Sequence, residues 1–172
     1  MDQFNSGDAD VLLGGRLQDF PLARSVGLIR GTIHVDPVAG LFGLAVVHDD
    51  GFLASPDNRE AIAMAIDRDA LIAPFGIGGW QATTRIVAPG VVDGEGGAAE
   101  RWAGLTLQQR RAQAAQRVAQ WAGKGDRENP VRLRIALPAG PGAPMLFERL
   151  QHDLRAIGLD ARQVTDAAEA DL

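Results

Sequence analysis

The stretch VRLRIALP, residues 131–138, constrains the fold more than any other part of the chain. Val131, Leu133, Ile135 and Leu137 fall on one face, with Arg132 and Arg134 on the other. A period of two marks a half-buried strand. The segment GPGAP leads on into a helix with Pro144 near its start. Leu146, Leu150, Leu154 and Ile157 supply that helix with a buried stripe. Gly158 stands where a left-handed helix end is needed, and Leu159 can fold back onto the last turn. LDARQV, residues 159–164, reads as the next strand, and Ala170-Asp171-Leu172 as the start of another. A strand, a helix and a strand in that order close onto one sheet as a parallel crossover, so the chain is expected to be α/β.

The first half raises a different question. NREAIAMAIDRDAL, residues 58–71, is an alanine-rich helix pattern interrupted by three charges, Asp67, Arg68 and Asp69. One amphipathic helix would not place a charge triplet there, whereas two helices meeting at a tight corner would. Ser55 and Pro56 form a helix start, with serine at the N-cap and proline at the first helical position. Ala61, Ile62, Ala65 and Ile66 make the apolar stripe, and Ala63 and Ala65 allow close packing. Asp67 is expected to end this helix and cap the next, its carboxylate accepting the free N–H groups of Asp69 and Ala70. Leu71, Ile72 and Phe75 then face inward until GIGG breaks the second helix.

Three further strands are expected around this corner. Val11 to Leu13 reads as a short buried strand ended by a glycine pair. Ile29, Ile33 and Val35 have strand-like spacing, and residues 40–51, GLFGLAVVHDDG, form a continuous apolar run that favours a central strand. Pro21 argues against a long helix across residues 16–26. Residues 76–104 are rich in glycine and proline and are expected to be largely loop, of a length that is usually functional. Thr106 caps a helix carrying Leu107, Arg111, Ala114, Val118 and Trp121 at helical spacing, ended by the polar turn GKGDRENP.

Composition narrows the function classes. At 172 residues the chain suits one domain or one large lobe. Its net charge is -5, with acidic and basic residues interspersed, so no basic stripe offers itself to nucleic acid. There is no cysteine, hence no disulfide framework and no thiolate chemistry. Met1-Asp2-Gln3-Phe4-Asn5 lacks the basic and apolar regions of a signal peptide. No apolar run approaches the ~20 residues a membrane helix needs. The chain opens on what reads as mid-domain sequence and stops at Leu172, the pattern expected of an excised fragment.

No catalytic constellation stands out. His34, His48 and His152 lie far apart and are read as surface or strand-end residues, not metal ligands. GIGGW lacks the GK[ST] of a phosphate loop, and no G-x-S-x-G elbow occurs. The carboxylates of GDADV and DDG do not have calcium-loop spacing and read as solvated turns. No cofactor, no metal and no catalysis are expected.

Three motifs in order carry a resemblance. Arg59-Glu60-Ala61 through Ala65-Ile66-Asp67-Arg68 resembles an R-x-A-x-x-x-A-I-D-R helix corner. LRIALP together with LQHDLRAIGLDARQV is similar to a strand–helix–strand unit whose helix ends in L-x-x-I-G-I. F-x-x-G-D-A-D-V, residues 4–11, is similar to a G-x-x-D-V strand entry. Together they resemble the bacterial extracellular solute-binding protein family 5, the peptide, oligopeptide and nickel receptors of ABC importers. The resemblance covers almost the whole chain, least closely over residues 76–104. One departure is Val47, which stands where the family usually has asparagine.

The resemblance implies a fold and a role. The fold is one lobe of a type II periplasmic-binding-protein-like architecture, α/β with a mixed, mainly parallel sheet flanked by helices. Residues 1–172 would be a single lobe, most of the C-terminal one, with the N-terminal lobe and the C-terminal tail absent. The role would be to bind a peptide or similar small solute in the periplasm or outside the cell and deliver it to an ABC permease. Trp80, Gln81, Thr84 and Arg85 are the candidate ligand-binding residues, because tryptophan offers a flat apolar face and arginine pairs with carboxylates. The competing role of Trp80 is to pack over the glycine-rich corner. Arg59, Asp67 and Arg68 are assigned to stabilising the corner, Trp102 and Trp121 to packing. The face that would meet the other lobe is expected to be apolar and to drive self-association. Two rival functions remain: a solute-sensing domain of a cytoplasmic transcription regulator, and a small α/β enzyme.

Overall fold

The computed structural model describes residues 2–23, 40–87, 100–125, 127 and 129–172. The chain begins with one-turn pieces: α1 (Asp2–Asn5), then a 3-10 turn at Leu17–Asp19 running into α2 (Phe20–Ala23). α3 (Pro56–Ala65) and α4 (Arg68–Ile72) follow, the latter extended by a 3-10 turn at Ala73–Phe75. α5 (Leu107–Ala122), β1 (Val131–Ala136), α6 (Ala143–Arg155) and β2 (Leu159–Val164) complete the regular structure of the described residues, with a last 3-10 turn at Ala167–Glu169. It is an α/β arrangement of helices around a small parallel sheet.

The parallel unit forms for the reasons its sequence gives. β1 and β2 pair in parallel from Val131 opposite Leu159 to Ala136 opposite Val164. Val131, Leu133 and Ile135 are buried while Arg132 and Arg134 are exposed, the alternation a half-covered strand requires. α6 crosses over between the strands and lays Leu146, Leu150, Leu154 and the following Ile157 into the core, all at most 2% exposed. Each such side chain contributes about 1.5–3 kcal/mol relative to full exposure. Gly158 ends the helix at φ 88°, a left-handed conformation that a side chain disfavours, and Leu159 is buried immediately after it.

The charge triplet is a corner between two helices. α3 ends at Ala65 and α4 begins at Arg68, with Asp67 between them in extended conformation. The Asp67 Oδ1 accepts the Ala70 N–H at 3.1 Å. Ala61, Ile62, Ala65 and Ile66 are buried, as are Leu71 and Phe75, and Gly76 stops the chain in the left-handed region at φ 61°. Ser55 occupies the N-cap of α3, but its hydroxyl makes no capping bond. Its carbonyl instead accepts the N–H groups of Asn58 and Arg59, both at 3.1 Å. Thr106 caps α5 reciprocally with Gln109, at 3.3 and 2.9 Å. α3 packs along α5.

Two expected strands are corrected. Val11, Leu12 and Leu13 belong to no strand and are 66%, 55% and 87% exposed. Residues 40–51 form no strand either, and Leu41, Phe42, Val46 and Val47 are exposed. An apolar run becomes a strand only where a sheet edge takes up its N–H and C=O groups. Among the described residues, Val47 alone of residues 40–48 makes a backbone bond, donating its N–H to the Asp171 carbonyl at 2.9 Å. Gly40 and Gly43 further weaken the run as a strand. The expected strand at Ile29, Ile33 and Val35 lies outside the described residues.

The segment Ala170–Leu172 fills the place beside β1. Asp171 and Leu172 donate their N–H groups to the Arg134 carbonyl at 2.8 and 3.1 Å, and Ala136 N–H reaches the Leu172 carbonyl at 3.0 Å. The Asp171 carboxylate closes the contact, accepting from Arg134 Nη2 at 2.6 Å and from the Arg134 backbone N–H at 2.7 Å. Partial burial alone would push the Asp171 carboxyl up. The Arg134 hydrogen bonds and positive charge outweigh it and hold the group below the usual carboxylate range. A depressed folded-state pKa stabilises the fold above the unfolded value of ~3.9 and ceases to do so as pH falls through the folded value. Thermal melts of the wild type against Asp171→Asn should therefore differ at pH 6 and converge steadily below about pH 4. A difference independent of pH would show that the carboxylate charge contributes nothing to this edge.

Candidate functional site

The corner, one loop and α5 together line an open concavity of about 410 Å³. The corner supplies Asp67, Arg68 and Asp69, the loop supplies Gln81, Thr84 and Arg85, and α5 supplies Arg110. Three of the four residues singled out by sequence for ligand contact, Gln81, Thr84 and Arg85, therefore share one wall. Trp80 is not part of it. Its ring packs 6.0 Å from Phe75 and 6.3 Å from Phe20, half-buried over the end of the glycine-rich corner. It anchors the base of the loop that carries the other three.

Each wall is held by identifiable contacts. Arg59 Nη1 donates to the Leu53 carbonyl at 2.6 Å and to that of Ala54 at 3.3 Å, closing the turn before α3. Arg68 Nη1 donates to the Ala63 carbonyl at 3.0 Å and the Ile66 carbonyl at 3.4 Å, satisfying the exposed end of α3. Beneath the corner lies Asp153 of α6, only 4% exposed. Its Oδ2 accepts the Asp67 backbone N–H at 2.8 Å, and its Oδ1 pairs with Arg111 Nη2. Arg111 Nε in turn donates to the Ala65 carbonyl at 3.0 Å. One buried carboxylate thus ties α6, α5 and both sides of the helix corner together.

The turn at residues 100–105 packs beside the residues that line the concavity. Arg101 bridges to Glu60 and Asp57 on α3 at 2.6 and 2.8 Å, and Arg117 of α5 reaches the same Glu60 at 2.5 Å. Trp102 is buried beside the concavity, with the Arg110 guanidinium 4.9 Å and that of Arg68 5.8 Å from its ring centre. Glu100 accepts a hydrogen bond from the Thr84 hydroxyl. That bond, then its own backbone N–H and the nearby Arg85 and Arg68, hold the Glu100 carboxyl below the usual range. Arg68 is also lowered, but against its charged form: burial first, then the like charge of Arg110, reduces the affinity of its guanidinium for its proton.

Sequence reasoning missed Arg110, Glu100 and Asp153. Arg110 and Arg111 are adjacent on a helix, so their side chains diverge by about 100° and take different partners. Helical spacing had placed Arg111 on the inward face of α5, and the buried pairing with Asp153 explains why a charge can stand there. Nothing in the local sequence distinguishes Glu100 or Asp153 from other surface acids, because their partners are remote in sequence. Among the described residues, no group of three or more histidines and carboxylates could hold a metal ion.

The family model described as bacterial extracellular solute-binding proteins, family 5 Middle, matches residues 1–169. No curated protein matches the chain.

Proposed function

The chain belongs to the bacterial extracellular solute-binding proteins, family 5, and from that premise we propose that it is one lobe of a receptor that closes over its solute. Solute binding is the general role of the family. The finer reading is that residues 1–172 form most of the C-terminal lobe and that a peptide or similar small solute is enclosed between this lobe and a second one. The closed receptor would then dock on an ABC permease from the periplasmic or extracellular side. The chain acts by binding and catalyses nothing in this reading.

The observation that carries it is the concavity at the corner. Gln81, Thr84 and Arg85 supply an amide, a hydroxyl and a guanidinium on one wall. These groups suit the amides and carboxylates of a peptide. Trp80 acts behind them, by fixing the start of the loop. The exposed Leu41, Phe42, Val46, Ile86 and Val87 support an interlobe face, which would also drive self-association when uncovered.

A half-cleft cannot enclose its ligand, so the lobe alone should bind weakly. Titration with a pool of di- to pentapeptides, then with nickel chelates, can be followed by tryptophan fluorescence. The expected result is no saturation below about millimolar ligand, the range of fragment-like affinities. Saturation at micromolar concentration, lost when Trp80→Phe and Arg85→Ala are combined, would overturn the half-cleft reading and place the whole grip on this lobe.

A further inference from the structure

Among the described residues, Arg110 has no carboxylate partner. Its guanidinium lies over Trp102 and faces the concavity, and its Nε is buried without a hydrogen-bond acceptor among the described residues. Every other buried side-chain nitrogen and oxygen among the described residues has a partner. A buried N–H left unpaired is costly, and the cost is relieved by any acceptor that enters. Arg68 approaches the same indole from the corner, so two like charges converge on one ring. Neither arginine forms an ion pair with a described carboxylate. The acids nearby have other work: Asp67 caps Ala70, and Glu100 is engaged by Thr84. Asp69 is the remaining acid on that wall and is exposed.

We propose that this concavity is an oxyanion subsite, in which Arg110 and Arg68, both stacked on Trp102, hold a carboxylate or phosphate group of the solute. The proposal rests on the solute-binding reading and adds the chemical class of the group bound. A guanidinium offers planar N–H donors that match a carboxylate or phosphate edge in pairs. An anion between the two guanidiniums also cancels their mutual repulsion, which deepens its attraction relative to a lone surface arginine. Burial is the first cause of the lowered proton affinity of Arg68, and the like charge of Arg110 is the second. Thr84 and Gln81 can donate to further oxygens of the same group. Glu100 is then an internal competitor: it lies close enough to Arg68 and Arg85 to feel both charges, and it occupies the Thr84 hydroxyl.

Inorganic phosphate and succinate serve as separate probes, titrated at low ionic strength by calorimetry and by tryptophan emission. Saturable binding is expected for at least one, with the emission change arising at Trp102. Phosphate alone would indicate a phosphorylated solute, succinate alone a carboxylate. Arg110→Gln should weaken binding about tenfold or more, the loss typical of a charged hydrogen bond. Glu100→Gln should tighten it. Arg110→Lys keeps the charge but not the fork, and serves if the glutamine variant does not fold; unaltered affinity there would overturn the proposal. So would no binding of either anion, or equal binding by the wild type and a cooperatively folded Arg110→Gln. If anions fail while peptides bind, the subsite falls and the receptor reading stands. If anions bind through Arg110, the subsite stands whether or not the lobe alone binds peptide or chelate, and the half-cleft reading is decided by the peptide titration.

Discussion

Replacing Asp153 with alanine is expected to destabilise the chain by about 3–5 kcal/mol, the range for stripping one partner from a buried ion pair. The carboxylate is 4% exposed and serves three elements at once. Alanine would leave the Asp67 backbone N–H without its acceptor and the partly buried Arg111 without its counter-charge. Asp153→Asn is the informative contrast. It is isosteric and can still accept from Asp67, so its loss should be smaller and should reflect mainly the charge of Arg111. Converting both Asp153 and Arg111 to leucine removes the unpaired groups together and should recover much of the single-mutant loss. Urea denaturation of the four proteins reads this directly. A loss below about 1 kcal/mol in Asp153→Ala would place the pair with ordinary surface ion pairs and remove the carboxylate as the link across the corner.

That linkage marks where the sequence stops being legible. Local rules carried the helix corner, the Thr106 cap, the β1–α6–β2 crossover and the Gly158 turn, because each is settled by residues within a few positions of one another. Residues 131–164 could be read almost completely for that reason. The runs at Val11–Leu13 and residues 40–51 could not, since strand formation depends on a partner edge that the run does not encode. Val47 bonding to Asp171 shows the point: its partner lies far along the chain, and one rung does not make a ladder. The candidate site was half legible. Gln81, Thr84 and Arg85 stand out in a polar loop of functional length. Arg110 does not, because its significance lies in lacking a carboxylate partner among the described residues, a property of three-dimensional surroundings.

Phe75→Ala should cost about 3–5 kcal/mol and should also loosen the loop wall of the candidate site. Phe75 is 2% exposed and sits where three parts of the chain converge. Trp80 lies against it, and a methyl group added to Gly142 would come within 3.0 Å of its ring. Gly142 is pressed equally close to Gln18, donating its N–H to the Gln18 carbonyl at 2.7 Å. Phe75 is therefore the wedge between the start of α6, the turn before α2 and the base of the 81–85 loop. Removing the ring leaves a cavity that a helix end and a glycine cannot collapse to fill, which puts the cost high in the usual range. Trp80 loses one of the two aromatic neighbours it has among the described residues, and the loop it anchors carries Gln81, Thr84 and Arg85. The expected signature is a red-shifted tryptophan emission that precedes global unfolding in a urea titration, together with weaker anion binding at the concavity. Gly142→Ala fails differently, by overpacking the same junction at a cost of about 1–3 kcal/mol, with the Phe75 ring still present. Should Phe75→Ala lose stability while emission and anion binding follow the global transition alone, the loop would not depend on this wedge, and Trp80 would be a passenger in the core.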